Sequence, residues 1–352
     1  MTPTNKVDLR SLDLDELSAL VAELGEGKFR AKQIAAWLPL GTPIDEMTNL
    51  SKSLREKLKE ITLDTLPNVA EKQVSAVDGT IKYLFSLHDG ECIESVFMRY
   101  KHGNTLCISS QVGCRMGCRF CASTLGGKVR DLLPSELLGQ IIAAQIDTGE
   151  RVSNIVMMGI GEPLDNYDNV IKFLKLVGSE WNLNIGYRHI SLSTCGVVPK
   201  IRTLAEEAFP ITLSISLHAA NDEKRSAIMP VNNKWKIKEL LDACVYYYSK
   251  TGRRISFEYT LISGKNDTRA DAYELAALLN GAFRGTGAPI HVNLIRVNAV
   301  KETGFKEGTT TSAHDFAAAL EEKGITATVR RRLGSDVDAA CGQLRHKKGK
   351  LS

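Results

Sequence analysis

The sequence lacks any stretch approaching the roughly 20 unbroken apolar residues of a membrane helix. Its first residues, MTPTNKVDLRSLDLDEL, lack the apolar run of a signal peptide. A cytoplasmic protein with no membrane partner is expected. Strong charge of either sign is missing too: 45 Lys and Arg stand against 41 Asp and Glu, a net charge of +4. That balance neither announces a nucleic-acid partner nor excludes one; any basic surface must be local. There is no low-complexity segment. The remainder is ordinary, 43% hydrophobic and 24% charged over 352 residues, so a core can form without covalent staples. Cysteine is the exception, with eight at positions 92, 107, 114, 118, 121, 195, 244 and 341. In a reducing cytosol a disulfide framework is not expected, so metal or redox chemistry is the first candidate.

Three regions differ in pattern. Residues 1 to about 62 read as helical. Leu14, Leu17, Leu20, Val21 and Leu24 form an amphipathic stripe that ends at Gly25, and Phe29–Leu38 and Ser51–Ile61 are two more helices, with Ser51 as an N-cap. Lys28, Arg30, Lys32, Lys52, Arg55, Lys57 and Lys59 make this region basic, as solvated helix faces or as an RNA-contacting surface. Residues 68–101 hold VAEKQVSAV, TIKYLFSL and CIESVFMRY, split by the hairpin signals Asp78-Gly79 and Asp89-Gly90, which predicts a small antiparallel sheet. From Thr105 onward strands alternate with helices. The strands are TLCISS, NIVMMG, HISLST, ITLSIS, ISFEYTLI, HVNLI and ATVRR; the helices are 135–146, 169–177, 237–248, 270–279 and 313–323. Such alternation predicts a parallel α/β sheet or partial barrel, with ligands at the C-terminal strand ends.

Just after the first of these strands stands Cys114-Arg-Met-Gly-Cys118-Arg-Phe-Cys121, a C-x3-C-x2-C spacing. Three thiolates in one tight loop can converge on a metal. A structural zinc usually takes four protein ligands, and no nearby Cys or His completes the set. A [4Fe-4S] cluster held by only three thiolates keeps one iron open, where a substrate can bind. Gly113 and Gly117 suit the tight turn. Gly161-Glu162-Pro163 follows the strand NIVMMG; there glycine permits close backbone approach, and Glu162 can pair with an ammonium group. Ser193 and Ser216-Leu217-His218 end two further strands, and Asn298 follows another; taken alone, Ser193 and Asn298 read as turn chemistry.

The cysteine loop resembles that of the radical S-adenosylmethionine enzymes. Six blocks in order, LCISSQVGCRMGCRFCASTLGG, MGIGEPLDN, SLSTCGVVP, SISLHA, VNLIRVN and GSDVDAACGQL, resemble the RlmN/Cfr family of RNA adenosine methyltransferases, over about 28–344. The resemblance implies an α/β fold, a radical S-adenosylmethionine partial (β/α)6 barrel with a helical accessory domain and a small antiparallel β extension. It divides the chain as 1–65 helical and RNA-binding, 66–101 antiparallel, 102–335 barrel, and 336–352 a C-terminal loop with a basic tail. The cofactors implied are a [4Fe-4S] cluster on Cys114, Cys118 and Cys121, shielded by Phe120, and S-adenosylmethionine on Gly161, Glu162, Ser193, Ser216, Leu217, His218 and Asn298.

The resemblance also assigns covalent roles. Cys341 accepts a methyl group from a first S-adenosylmethionine, and a second supplies the radical that removes a hydrogen from it. The carbon radical attacks adenine, whose amidine carbon is electrophilic and would not attack a sulfonium itself. Glu94 is the implied proton acceptor. Cys107 then attacks the sulfur of Cys341, releasing methyladenine and leaving a transient disulfide. Read from the residues alone, Cys107 is a buried strand thiol and Cys341 a loop thiol. The implied substrates are 23S rRNA and tRNA anticodon loops, methylated at carbon 2 of adenosine, with electrons from a flavodoxin-type reductase; a monomer is expected. Glu162-Pro163, ASTLGG and DAACGQL favour RlmN over carbon-8 methylation of the Cfr type, and a non-catalytic metal-containing RNA-binding module is the remaining alternative. Arg330–Arg332 and Arg345, Lys347, Lys348 and Lys350 either neutralise phosphates or form a solvated tail. The target base must leave its stack. Cys92, Cys195 and Cys244 are read as structural.

Overall fold

A computed structural model describes residues 6–296, 305, 308–334, 336 and 337 of the chain. Asn298 and Cys341 lie outside the described residues.

The N-terminal helices are α1 (Leu14–Glu23), α2 (Phe29–Trp37) and α3 (Lys52–Ile61). Asp13 caps α1 by accepting from the backbone of Asp15 and Glu16, and Ser51 caps α3 by accepting from Leu54. The predicted stripe is buried through Leu17, Leu20 and Val21, which join Ile34, Leu54 and Leu58 in a core of their own. The unit docks on the barrel through Asp8. Its Oδ1 accepts from Thr65 Oγ1 at 3.1 Å and its Oδ2 from Ser11 Oγ at 2.6 Å and from Ser135 Oγ. Trp181 packs against both this core and the main one.

The antiparallel strands are β1 (Asn68–Val74), β2 (Ile81–Ser86) and β3 (Cys92–Met98). They do not form a separate small sheet. β3 pairs antiparallel with β4 (Asn104–Cys107), so the predicted division at 101 and 102 crosses a continuous hydrogen-bonded sheet. From β4 onward the pairing is parallel through β7 (Val152–Met157), β8 (Ile190–Thr194), β9 (Thr212–Ser216), β10 (Ile255–Leu261), β11 (Ile290–Arg296) and β12 (Thr326–Val329). The first six of these are the expected barrel strands, and β12 is a seventh at the edge. β4 to β7 runs through α4 (Pro134–Thr148), and the later crossovers use α5 (Tyr167–Val177), α6 (Val198–Glu206), α7 (Asp222–Ile228) with α8 (Ile237–Thr251), α9 (Arg269–Ala282) and α10 (Thr310–Glu321). Adjacent helices pack on one another, and their apolar faces share one core with the sheet.

Periodicity located every parallel strand but missed α6, α7 and a hairpin. α6 is nine residues long with Pro199 in its first turn, where a missing N–H costs nothing. α7 has seven residues and a charged sequence, DEKRSAI. The hairpin joins β5 (Gln111–Gly113) and β6 (Lys128–Asp131), each too short for an alternating pattern, and its connection is the cysteine loop. Among the described residues no helix is long and apolar enough to cross a membrane.

Asp8→Ala strips the partner from three hydroxyls, all on the buried residues Ser11, Thr65 and Ser135. The expected loss is about 1–3 kcal/mol. A lower urea midpoint and faster amide exchange in α1–α3 would show it; unchanged exchange there would remove Asp8 from the docking.

Candidate active site

Parallel strands end on one side of the sheet, and a cavity of about 270 Å³ opens there. Its lining brings together Cys114, Cys118, Cys121, Gly161, Glu162, Ser193, Ser216 and His218 from four different segments. Leu217 differs from its expected partners. It does not line the cavity: its side chain is in the core, and its N–H donates to the Glu258 carbonyl at 3.1 Å.

The cysteine loop is held at both ends. Cys114 N–H donates to the Gly127 carbonyl at 2.9 Å, and Arg119 N–H to the Ile228 carbonyl at 2.9 Å. Thr124 Oγ1 donates to the Cys121 carbonyl at 2.9 Å. Gly117 turns the chain at φ +72°, a left-handed conformation that favours glycine. Phe120 lines the cavity and meets the His218 ring edge-on at 4.8 Å between centroids. An ion network ties the loop to the segment after Glu162: Asp165 pairs with Arg115 and with Lys128 at 2.9 Å.

The donor set suits an iron-sulfur centre. Burial pushes the Cys114 thiol up to about 12, and Cys118 higher still, with Cys121 and Glu162 adding repulsion. Thiolates form in such a place only when a cation offsets their charge. Among the described residues no three Cys, His, Asp or Glu side chains stand close enough to hold a metal as they are, so ligation requires the thiols to turn toward one centre. Cys195, which packs in one cluster with Cys118 and Phe120, is a fourth thiol in the cavity that sequence spacing could not reveal.

Glu162 is buried. Its Oε1 accepts from Leu164 N–H at 3.0 Å and its Oε2 from Cys195 N–H at 2.7 Å. Burial raises this carboxyl above its ordinary value, and these amide donors oppose the rise. Gly161 has no room for a side chain: a Cβ would lie 2.6 Å from Gln111 Cβ. His218 is also buried, at φ +58°, rare for a residue other than glycine. Its Nδ1 accepts from Thr260 N–H at 2.9 Å, so a neutral ring carries its proton on Nε2. Burial, with help from the Arg225 charge, lowers this imidazole to about 3.

Glu94 and Cys107 lie outside the cavity lining, on an adjoining face of the sheet. Cys107 on β4 pairs with Val96 on one side and Val156 on the other. Its apolar neighbourhood includes Val96, Met98 and Leu333, and Met158 both touches this group and lines the cavity. Glu94 is buried, as expected of a strand carboxylate, but it is not isolated: Lys82 Nζ stands 3.0 Å from its Oε2 with both side chains shielded from water. Lys82 went unread because it interrupts an apolar strand. The β2–β3 register, with Leu84 opposite Glu94, is the signal that could have found it. Three more charged groups line the cavity, Glu258 from β10, Arg296 at the end of β11 and Arg330 after β12. Asn293 Nδ2 donates to Glu258 Oε2 at 2.7 Å.

His218 predicts a pH dependence of stability. The unfolded chain takes up a proton on this ring near 6.5, whereas the folded chain does so only near 3. Stability is therefore complete above about 6.5 and falls as pH drops between those values, by up to about 1.4 kcal/mol per unit from this group. Chemical denaturation at pH 7.5, 6.0 and 5.0 should show a shallower loss in His218→Asn than in the wild type. Parallel slopes would contradict a neutral buried ring.

Comparison with known proteins agrees with this geometry. Residues 108–276 match the radical SAM superfamily, and residues 7–63 match the ribosomal RNA large subunit methyltransferase N-terminal domain. A protein of Lachnoclostridium phytofermentans is 54% identical over 344 residues, 97% of this chain and 95% of its own length. One of Alkaliphilus oremlandii is 55% identical over 343 residues, 97% of this chain and 98% of its own. Both bear the name "Probable dual-specificity RNA methyltransferase RlmN". A radical SAM methyltransferase from Sphaerobacter thermophilus of known structure superposes with a TM-score of 0.89 at 41% identity, covering 96% of this chain and 98% of that one. Shared nearly end to end, in the helical unit as well as the barrel, this similarity shows that the chain belongs to the RlmN family of radical SAM methyltransferases.

Proposed function

We propose that the protein methylates carbon 2 of adenosine in 23S rRNA and in tRNA anticodon loops, acting as a monomer in the cytoplasm with electrons from a flavodoxin-type reductase. One observation carries the reading: the three-thiol cavity adjoins the Cys107 pocket, and Leu333, eight residues before Cys341, packs into that pocket. The relatives' name supports an RNA substrate. No observation favours carbon-8 methylation or a non-catalytic role.

In this reading Cys114, Cys118 and Cys121 hold a [4Fe-4S] cluster, and Gly161, Glu162, Ser193, Ser216, His218, the backbone at Leu217, and Asn298 hold S-adenosylmethionine. When bound, these groups supply the methyl carbon and the one-electron chemistry that activates it. The chain's own residues do the rest. Glu162, held on the cavity lining by the Leu164 and Cys195 amides, takes an ammonium group. His218, neutral and with its Nδ1 occupied, offers a single N–H donor. Cys341 carries the methyl group and Cys107 resolves the covalent adduct. Burial of Cys107 among Val96, Met98 and Leu333 keeps water from the sulfur chemistry. Glu94 removes the ring proton at carbon 2, held in place by Lys82. The helical unit at 1–65 and the basic residues near the C-terminus contact RNA phosphates.

Cys341→Ala should yield no 2-methyladenosine in nucleosides from rRNA of cells that express it, read by mass spectrometry; methylation near the wild-type level would end the carrier role. Cys107→Ala should accumulate a protein–RNA adduct visible on a denaturing gel, and a gel with free protein only would count against a resolving thiol. Protein purified without oxygen should hold about four iron atoms per chain.

A further inference from the structure

Arg225, on α7, is fully buried at 0% exposure. Long cations are seldom buried without a paired anion, because the desolvation cost is large. Yet every acceptor of this guanidinium is neutral. Nε donates to the Leu217 carbonyl at 3.1 Å, and Nη1 to the Asn232 Oδ1 at 3.0 Å. Nη2 donates to the carbonyls of Cys195 at 2.7 Å and Ser216 at 3.0 Å. Among the described residues no carboxylate lies within ion-pair distance. Asp222 is one step removed, accepting at 3.0 Å from the Nδ2 of Asn232. Burial lowers the pKa of Arg225, and the groups that act against burial are first the thiols of Cys195 and Cys118, and only then Asp222.

The placement is also specific. Arg225 clamps the turn after β8 to the turn after β9, the two segments that present Ser193 and Ser216 to the cavity. A cluster on Cys114, Cys118 and Cys121 would bring net negative charge to the neighbouring wall, and one-electron reduction would add more. Cluster potentials respond to nearby charge and burial.

We infer that Arg225 is the buried counter-charge of the iron-sulfur cluster, a positioning residue that favours the reduced cluster while fixing the β8 and β9 turns. This rests on the cluster of the function proposed above. The electron itself comes from the external reductase, and Arg225 neither gains nor loses one. Asn232→Asp would set a carboxylate against the same guanidinium while Arg225 keeps its carbonyl contacts, at the cost of the bonds that Asn232 Nδ2 donates to Asp222 and Ser226.

The test is an anaerobic redox titration followed by electron paramagnetic resonance, with iron content measured alongside. It compares the wild type with Arg225→Gln, Arg225→Lys and Asn232→Asp. In the Gln and Asp variants the reduced-to-oxidised ratio at a fixed potential should fall on the order of tenfold, about 59 mV for a one-electron couple. The Lys variant should titrate close to the wild type. A loaded Gln variant with the wild-type potential would overturn the inference, and so would a Lys variant displaced as far as Gln. If Gln does not load iron, Asn232→Asp decides on the same terms. Failure of both neutralised variants to load while Lys loads supports the counter-charge, and failure of all three overturns it. A wild type without a cluster would instead sink the proposed function.

Discussion

Parallel pairing from β4 to β12 is the constraint on which the site depends. Parallel strands share a direction, so their C-terminal ends gather on one side. Each end must leave its strand through a turn whose backbone groups still need partners. Here those turns carry the chemistry. The cysteine loop, Gly161-Glu162, Ser193 with its following turn, and Ser216-Leu217-His218 are far apart in the chain, and the sheet register brings them to one cavity. The antiparallel strands extend this sheet on the β4 side, which puts Glu94 and Cys107 on a face beside the cavity.

Low dielectric is the second theme. The cavity and its surroundings bury Glu162, Glu258, His218 and Arg225, with Lys82 and Glu94 on the neighbouring face. Each is stabilised differently. Glu162 uses backbone amides, His218 loses its charge, Lys82 and Glu94 pair with each other, and Arg225 uses carbonyls. A buried charge without a direct ionic partner is costly in isolation. Such costs fit a site completed by charged ligands, in which the polar groups are arranged in advance of binding.

Much of this was legible in the sequence because the signals were local. The strands were visible as short β-branched runs, the helix cap at Ser51 and the hairpin at Asp78-Gly79 as local cap and turn chemistry, and the cysteines as a spacing that fits one loop. What was not legible depended on contacts between distant segments. The β5–β6 hairpin is too short to show a period, and Pro199 disguised α6. Lys82 reads as a polar break in a strand until the hairpin register places it beside Glu94. Cys195 reads as a structural thiol until β8 carries it to the cluster cavity.

By itself, the chain's order of residues determined the class of chemistry. Three thiols in eight residues can serve one metal centre whatever the fold, and the six blocks in order pointed to one family. Tertiary structure alone decided which charges face that chemistry. Arg225 lies in a short charged helix that looks solvated, and only packing under the β8 and β9 turns turns it into a buried cation. The physical reason is that burial, and with it the strength of any charge, belongs to the assembled sheet and not to the local sequence.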